Sequence, residues 1–451
     1  MRFNGWIAAC FLSFVSFGAF AQANTNCISQ QEMTEIAQSF RQFANLAKGE
    51  YCLDDSPTSR LLSGIMFMRK TAFQPNMALS RDELFSGKFA QSWWQYFIGR
   101  IDNFVVESNC TKGVVAYVYF FGNDMHVCPT ALTPNFTSLD LASVFMHEAR
   151  HIDGFPHVTC SRGPRVGIKG ACDTKISDGG SYAVTVETYA QIAKYSIDVH
   201  PALKAYARAS SVIYADEAFE NPVRIDRTQQ LVLMTTSRDF VQIDPVSEQT
   251  KTLGQSSALG HIVMRAQHMM LMPDDKTMKA KYLFVNNEGE INQEAGDIAI
   301  EYNSQPPADR GNWVDIHVGA QWNTKIFKDR LVFACDPRSA AMTNLSTNGD
   351  VPVGILYPDG YDRAAMSANL VMQSGRIMEF GCQGTSAFLR NSNLTFDQSY
   401  KRIYKVAGSV IGLSNDGKLF RINGNTSTQI RTSIDGRIYE IAPRQTYNFF
   451  D

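Results

Sequence analysis

The feature that most restricts how this chain can fold is a unit recurring through its second half: an apolar strand, a tight turn and an alternating strand. Leu231–Met234 leads through Ser237-Arg238-Asp239 to Phe240–Ile243, and Tyr282–Val285 leads through Asn287-Glu288-Gly289 to Glu290-Ile291. Leu331–Ala334 precedes Asp336, and Asn369–Met372 leads through Ser374-Gly375 to Arg376–Phe380. Val410–Leu413 leads through Asn415-Asp416-Gly417 to Lys418–Ile422, and a partial copy, Asp435–Tyr439, follows. Each unit has the pattern of a β-hairpin. The starts at Leu231, Tyr282, Leu331, Leu370 and Val410 lie about 40 to 50 residues apart, as the four-stranded blades of β-propellers do. Residues 226–451 are therefore expected to form an all-β repeat domain, propeller-like, with the partial copy helping to close the ring. A β-sandwich of several hairpins is the alternative.

Residues 1–23 read as a secretory signal: Arg2 is their only charge, an apolar stretch runs from Trp6 to Phe20, and Ala21-Gln22-Ala23 is a small-residue cleavage site. Its removal takes away Cys10 and leaves cysteines 27, 52, 110, 128, 160, 172, 335 and 382. An even set in an exported chain points to disulfides, and no C-x-x-C suggests a cysteine metal site. Pairing of sequence neighbours, favoured by short loops, gives Cys27–Cys52, Cys110–Cys128, Cys160–Cys172 and Cys335–Cys382. No other stretch has the eighteen or so apolar residues of a membrane span. The net charge is −2 with both signs mixed throughout, so nucleic acid is not an expected partner. The expected location is secreted or periplasmic.

At 451 residues the chain exceeds one ordinary core, and residues 24–225 read as a separate mixed helix-and-strand domain. Ser29–Lys48 has an amphipathic helix pattern, with Met33, Ile36, Phe40, Phe43 and Leu46 on one face. Further helices fit Ser59–Thr71 and Lys88–Arg100. Val114–Phe121 reads as a buried strand, and Met125–Cys128 as a short edge strand. A helix capped by Thr137 or Ser138 runs to about Asp153, and another covers Ser181–Tyr195.

The first of these two helices carries the chemistry. Three of the chain's eight histidines fall in His147-Glu148-Ala149-Arg150-His151-Ile152-Asp153-Gly154-Phe155-Pro156-His157. Residues four apart share a helix face, so His147 and His151 can reach one metal ion. Gly154 could turn the backbone where the helix ends, letting His157 return as a third ligand. Three protein ligands and one open position are the pattern of catalytic zinc. Glu148 lies beside them, where a carboxylate could take a proton from metal-bound water. Arg150 points away from the histidine face and is expected at the surface or in an ion pair. Tyr182 and Tyr189 are expected to pack in the core, and His126 to be structural.

This motif resembles the H-E-x-x-H signature of the zincin metallopeptidases, and its spacing matches the longer form of the metzincin branch. The resemblance covers about residues 90–200 and implies a zincin-like α+β catalytic domain. It implies zinc bound by His147, His151 and His157, with Glu148 as the catalytic base, and an edge strand, Met125–Cys128, that holds the substrate peptide. Metzincins place a methionine in a turn beneath the metal, whereas here the next methionine after His157 is Met234, inside the first β-repeat. Other zincins take an acidic third ligand, for which Glu187 is the first alternative, followed by Asp173 and Asp178.

The function this implies is an exported zinc-dependent peptidase acting on a peptide or protein substrate, with the β-repeat domain binding substrate or a protein partner. An amidase acting on cell-wall peptides would need the same residues. The reading from a different class is a non-catalytic exported binding protein whose β-repeat domain binds a protein or cell-wall ligand, with a structural or vestigial metal site.

Overall fold

The computed structural model describes residues 27–447 except 75–91, 112–113, 120–121, 134–135, 162–164, 222, 224, 226, 266–267, 286–290, 296–305, 319–321, 336–340, 358–366, 397–398 and 425. The signal-like segment 1–23, the start of the Lys88–Arg100 helix and the Asn287–Gly289 turn lie outside these residues. All four disulfides form between the neighbours in sequence: Cys27–Cys52, Cys110–Cys128, Cys160–Cys172 and Cys335–Cys382.

The first half is α+β. Two short strands, β1 (Cys27–Ile28) and β2 (Tyr51–Cys52), pair around helix α1 (Gln30–Ser39). Ser29 caps α1 in a capping box with Glu32. The expected single helix to Lys48 is broken at Phe40 and resumes as a 3₁₀ turn over Arg41–Leu46. The break keeps Phe40 and Phe43 buried together with Met33 and Ile36. Helix α2 (Pro57–Lys70) and helix α3 (Trp93–Ile98) follow. A three-stranded sheet then forms from β3 (Asn103–Val106), β4 (Ala116–Val118) and β5 (Asp124–Val127), in the order β3-β5-β4.

That order corrects two expectations. The segment read as an edge strand is the central strand, parallel to β3 and antiparallel to β4. Met125 and Val127 are buried accordingly. Among the described residues, the segment read as a buried strand contributes Ala116–Val118 to an outer strand, and Tyr117 and Val118 are half-buried.

Helix α4 (Ser138–Ile152) starts at a second capping box, in which Thr137 and Asp140 satisfy each other's backbone N–H groups. Its apolar face places Phe145 in an aromatic cluster, stacked on Phe97 at 5.6 Å and against Phe104 at 5.1 Å between ring centroids. Helices α5 (Ser181–Tyr195) and α6 (Pro201–Glu217) complete this half. Asp140 also accepts hydrogen bonds from Tyr189 of α5 at 2.6 Å and Tyr206 of α6 at 2.9 Å. One buried carboxylate thus caps α4 and ties down its two successors.

Among the described residues, the second half holds five four-stranded antiparallel sheets. The first contains β6 (Arg227–Thr235), β7 (Asp239–Ile243) and β8 (Thr250–Gln255). The second contains β9 (Gly260–Arg265), β10 (His268–Pro273), β11 (Lys281–Val285) and β12 (Ile291–Ala295). The third contains β13 (Trp313–Val318), β14 (Asn323–Phe327), β15 (Arg330–Ala334) and β16 (Thr343–Ser346). The fourth contains β17 (Pro352–Leu356), β18 (Ser367–Met372), β19 (Arg376–Gln383) and β20 (Ser386–Thr395). The fifth contains β21 (Arg402–Val406), β22 (Ser409–Leu413), β23 (Leu419–Asn423) and β24 (Thr426–Ile430). The last strand, β25 (Ile438–Tyr447), returns to pair with β6 and completes the first sheet.

The outer strands β9, β13, β17, β21 and β25 meet one another: β25 lies against β9, β9 against β13, β13 against β17, β17 against β21, and β21 against β25. A buried polar network joins four of them. Arg402 donates to both carboxylate oxygens of Glu440 at 3.0 and 3.1 Å and to the Val314 carbonyl at 3.1 Å. Glu440 also meets His261 Nδ1 at 2.6 Å, and Tyr404 donates to Asp315 at 3.2 Å. Between the halves, Ala205 of α6 packs with Tyr282 and Phe284 of β11.

Candidate metal centre

Three elements build the site. Helix α4 presents His147 and His151 on one face, their ring centroids 5.1 Å apart. The helix stops at Asp153, and Gly154 takes a φ of 87°, a left-handed conformation that glycine adopts without a Cβ penalty. The chain reverses there and carries His157 back, to 4.5 Å from His151 and 5.0 Å from His147 between ring centroids. One nitrogen from each of the three rings lies within 4.8 Å of the others.

The partners of the rings fix which nitrogens converge. His151 Nδ1 meets the Phe155 carbonyl at 2.6 Å, an atom that can only accept, so Nδ1 carries the proton. His157 Nδ1 meets Asp173 Oδ1 at 2.9 Å, again an acceptor. His147 Nδ1 meets Thr185 Oγ1 at 2.8 Å, and that hydroxyl spends its own proton on the Ser181 carbonyl at 3.2 Å. His151 and His147 thus hold a proton on Nδ1 and offer Nε2, while His157 donates Nδ1–H to Asp173 and turns Nε2 toward His147. His147 Nε2 and His157 Nε2 are 3.0 Å apart. Three imidazoles brought together in this way, each held by a partner at Nδ1, form a donor set that fits zinc.

The electrostatics agree. Burial, reinforced by the charges of His151 and His157, pushes His147 well below its ordinary value. Burial and His157 bring His151 down to about 4, against the pull of the Phe155 carbonyl. Both rings are therefore neutral near pH 7, as ligation requires. Burial alone lifts Glu148 to about 8. A neighbouring divalent cation would draw such a carboxyl back toward ionisation. Burial raises the Tyr182 hydroxyl above its ordinary value against the pull of Arg165, with the carboxylates of Asp173 and Glu148 adding to the rise.

The N-terminal turn of α5 supports the whole cluster. Ser181 Oγ lies 3.1 Å from His151 Nδ1, and Thr185 holds His147. Asp173, which holds His157, accepts from the backbone N–H groups of Tyr182 and Ala183 at 2.8 and 3.3 Å. The Tyr182 ring packs against His157 at 4.4 Å and His147 at 4.9 Å. Tyr182 therefore lines the site, whereas Tyr189 is buried on Asp140.

The remaining candidates fall elsewhere. Glu187, the alternative third ligand, is buried on α5, accepts from Gln191 at 3.1 Å, and is not among the converging ligand atoms. Asp173 serves as a partner of His157, and Asp178 lies in a 3₁₀ turn facing Lys175. Met234 packs in the β core. His126 pairs with Glu107 at 2.6 Å and stacks on Tyr117. Arg150 is not a surface residue: it is buried, donates to the Gly179 carbonyl and Asp153, and stacks on Phe155. It thereby braces the turn that returns His157.

No family model matches the chain, and no curated protein matches it in sequence. Among solved structures, a protein of unknown function from Bacteroides caccae aligns at 9% identity over 48% of this chain and 99% of its own, with a TM-score of 0.30. Apo AztD from Citrobacter koseri aligns at 11% identity over 46% of this chain and 56% of its own, with a TM-score of 0.23. PorZ, an essential bacterial surface component of the type-IX secretion system of Porphyromonas gingivalis, aligns at 7% identity over 47% of this chain and 28% of its own, with a TM-score of 0.23. Similarity this slight carries no information on chemistry.

Proposed function

We propose that the chain is an exported zinc-dependent peptidase, secreted or periplasmic, whose catalytic part has the zincin arrangement. The observation that carries this reading is the convergence of one ring nitrogen from each of His147, His151 and His157, with the buried Glu148 next to His147 on the same helix. Bound there, zinc supplies a Lewis acid that polarises a carbonyl and acidifies water. Glu148 takes the proton of the attacking water as oxygen joins the carbonyl carbon, and returns it to the amine as the C–N bond breaks. Tyr182, with its ring against His147 and His157, would donate a hydrogen bond to the oxygen that gains charge. The outer strand β4, which lies against α4, replaces Met125–Cys128 as the edge on which an extended peptide would pair.

The same proposal reads the second half as a five-bladed β-propeller. Five separate four-stranded sheets, with outer strands that meet in sequence around to β25, favour it over two facing layers. Such a domain would bind the protein substrate or a partner.

The test is hydrolysis of a fluorescein-labelled unfolded protein by the purified chain, with metal content measured alongside. Activity should vanish with a chelator and return with zinc. Glu148→Gln should keep the metal and lose at least about a hundredfold in rate, while His147→Ala should lose the metal. A zinc-loaded wild-type chain without hydrolytic activity, or full turnover by Glu148→Gln, would remove the peptidase reading.

A further inference from the structure

Two of the three histidines owe their position to helix α4, which is anchored by Phe145 in the aromatic core. The third belongs to a loop, and the loop is fastened by a disulfide. Val158 and Cys172 form an isolated antiparallel bridge, with Val158 N–H donating to the Cys172 carbonyl at 2.7 Å and Cys172 N–H donating back at 3.3 Å. His157 and Asp173 flank that bridge and meet through Nδ1 and Oδ1. The Cys160–Cys172 bond lies directly beneath it, both residues 1% exposed.

The two arms of the bridge are anchored differently. The Asp173 arm is held by the rest of the fold: its N–H donates to the Ala218 carbonyl at 3.0 Å, its carbonyl accepts from Glu220 at 3.0 Å, and its side chain caps α5. The His157 arm runs from the Gly154 turn and reaches that platform through the Val158 bridge, the disulfide, and Ser161 donating to Glu220 at 2.7 Å. Without the sulfur–sulfur bond, the two-residue bridge, the His157–Asp173 contact, the Tyr182 ring and the exposed hydrogen bonds of Ser161 to Glu220 would have to hold the ligand against chain entropy of about 1–2 kcal/mol per ordered residue.

We infer that closing Cys160–Cys172 completes the metal site by positioning His157, so that the chain acquires its full affinity for zinc only after this bond has formed. The inference rests on the metal site of the proposed function. Closure removes two protons and two electrons from the two thiols. Both electrons pass to a small-molecule or protein disulfide by thiol–disulfide exchange, and that oxidant leaves as two thiols. A chain still in a reducing compartment keeps His147 and His151 but not the third ligand. The site is thereby armed by oxidation, after export.

The test is zinc affinity, measured by competition with a chromogenic chelator on the full chain. Cys160→Ser/Cys172→Ser should bind zinc at least about tenfold more weakly than wild type, the range seen when the support of a ligand is lost. His157→Ala should weaken binding as well, and adding the two serines to it should cause little further loss, because both act through one group. Cys335→Ser/Cys382→Ser should leave the affinity unchanged. If the Cys160 and Cys172 substitutions prevent folding, limited reduction of folded wild type, with alkylation of those two cysteines verified by mass, supplies the open form for the same measurement. An open form that binds as tightly as wild type overturns the inference and leaves the metal site standing. So does a loss that adds fully to that of His157→Ala. A wild-type chain that binds no zinc overturns both.

Discussion

Asp315 is 3% exposed, and burial raises its carboxyl to about 6 in spite of Arg402, the Ile316 N–H and the Tyr404 hydroxyl. A carboxyl raised from 3.8 binds its proton more tightly in the folded state. Its contribution to stability is whole below about pH 4 and is lost as pH rises to about 6. Asparagine carries no such proton. The stability of Asp315→Asn relative to wild type should therefore rise by about 3 kcal/mol between pH 4 and 6 and stay level above that. Urea unfolding at several pH values measures the difference, and a constant difference would contradict the assignment. At this same scale the ligands of the metal site were legible, because His147, His151 and His157 announce themselves by spacing. Their supports were not. Thr185 and Ser181 are short polar residues on a later helix, and nothing in their own neighbourhoods distinguishes them from solvated ones, while Asp173, an alternative ligand in sequence terms, holds His157 instead. Arg150 is the ion-pair partner its sequence allowed, on Asp153, but not a surface residue: a guanidinium on a helix looks exposed until Phe155 is seen to cover it.

Helices α2 and α4 approach so closely at Gly64 that a Cβ there would lie 2.8 Å from both Leu141 Cβ and the Phe145 ring. Alanine is the better helix former by about 1 kcal/mol, yet Gly64→Ala should destabilise by about 1–3 kcal/mol through overpacking. Thermal unfolding decides between the two effects, and an unchanged or higher Tm would show that the helices can separate at no cost. The helices themselves were readable where caps coincide with an apolar period, as at Ser29 and Thr137. Pairing order was not. Strand β3 went unread, and without its parallel partner β5 looked like an edge, since alternation of Met125 and Val127 reports a buried face and says nothing of which neighbours are present. Helix α6 also went unread, because its alanines and serines give weak apolar contrast.

For the molecule as a whole, the hairpins read from sequence are real but were counted from different places. Leu231, Leu370 and Val410 lie in the second strands of their sheets, whereas Tyr282 and Leu331 lie in the third. This mixture of counting positions accounts for the uneven spacing. The partial copy at Asp435–Tyr439 reads as helping to close a ring, but its pairing with β6 is not legible, because it joins residues about two hundred apart. Deleting residues from Ile438 onward would strip β6 of a partner along its length and leave Arg402 buried without Glu440. A charge abandoned in this way costs about 3–5 kcal/mol. The truncated chain should lose the protease-resistant β half and aggregate, as size-exclusion chromatography and limited proteolysis would show. A monomeric, resistant fragment would contradict this. The late arrival of β25 has a kinetic consequence as well. The first sheet cannot be finished until β25 has been made, about two hundred residues after β6, and contacts of such long range form slowly. The sheet that is begun first is thus the one completed last, and until then β6 keeps one open edge.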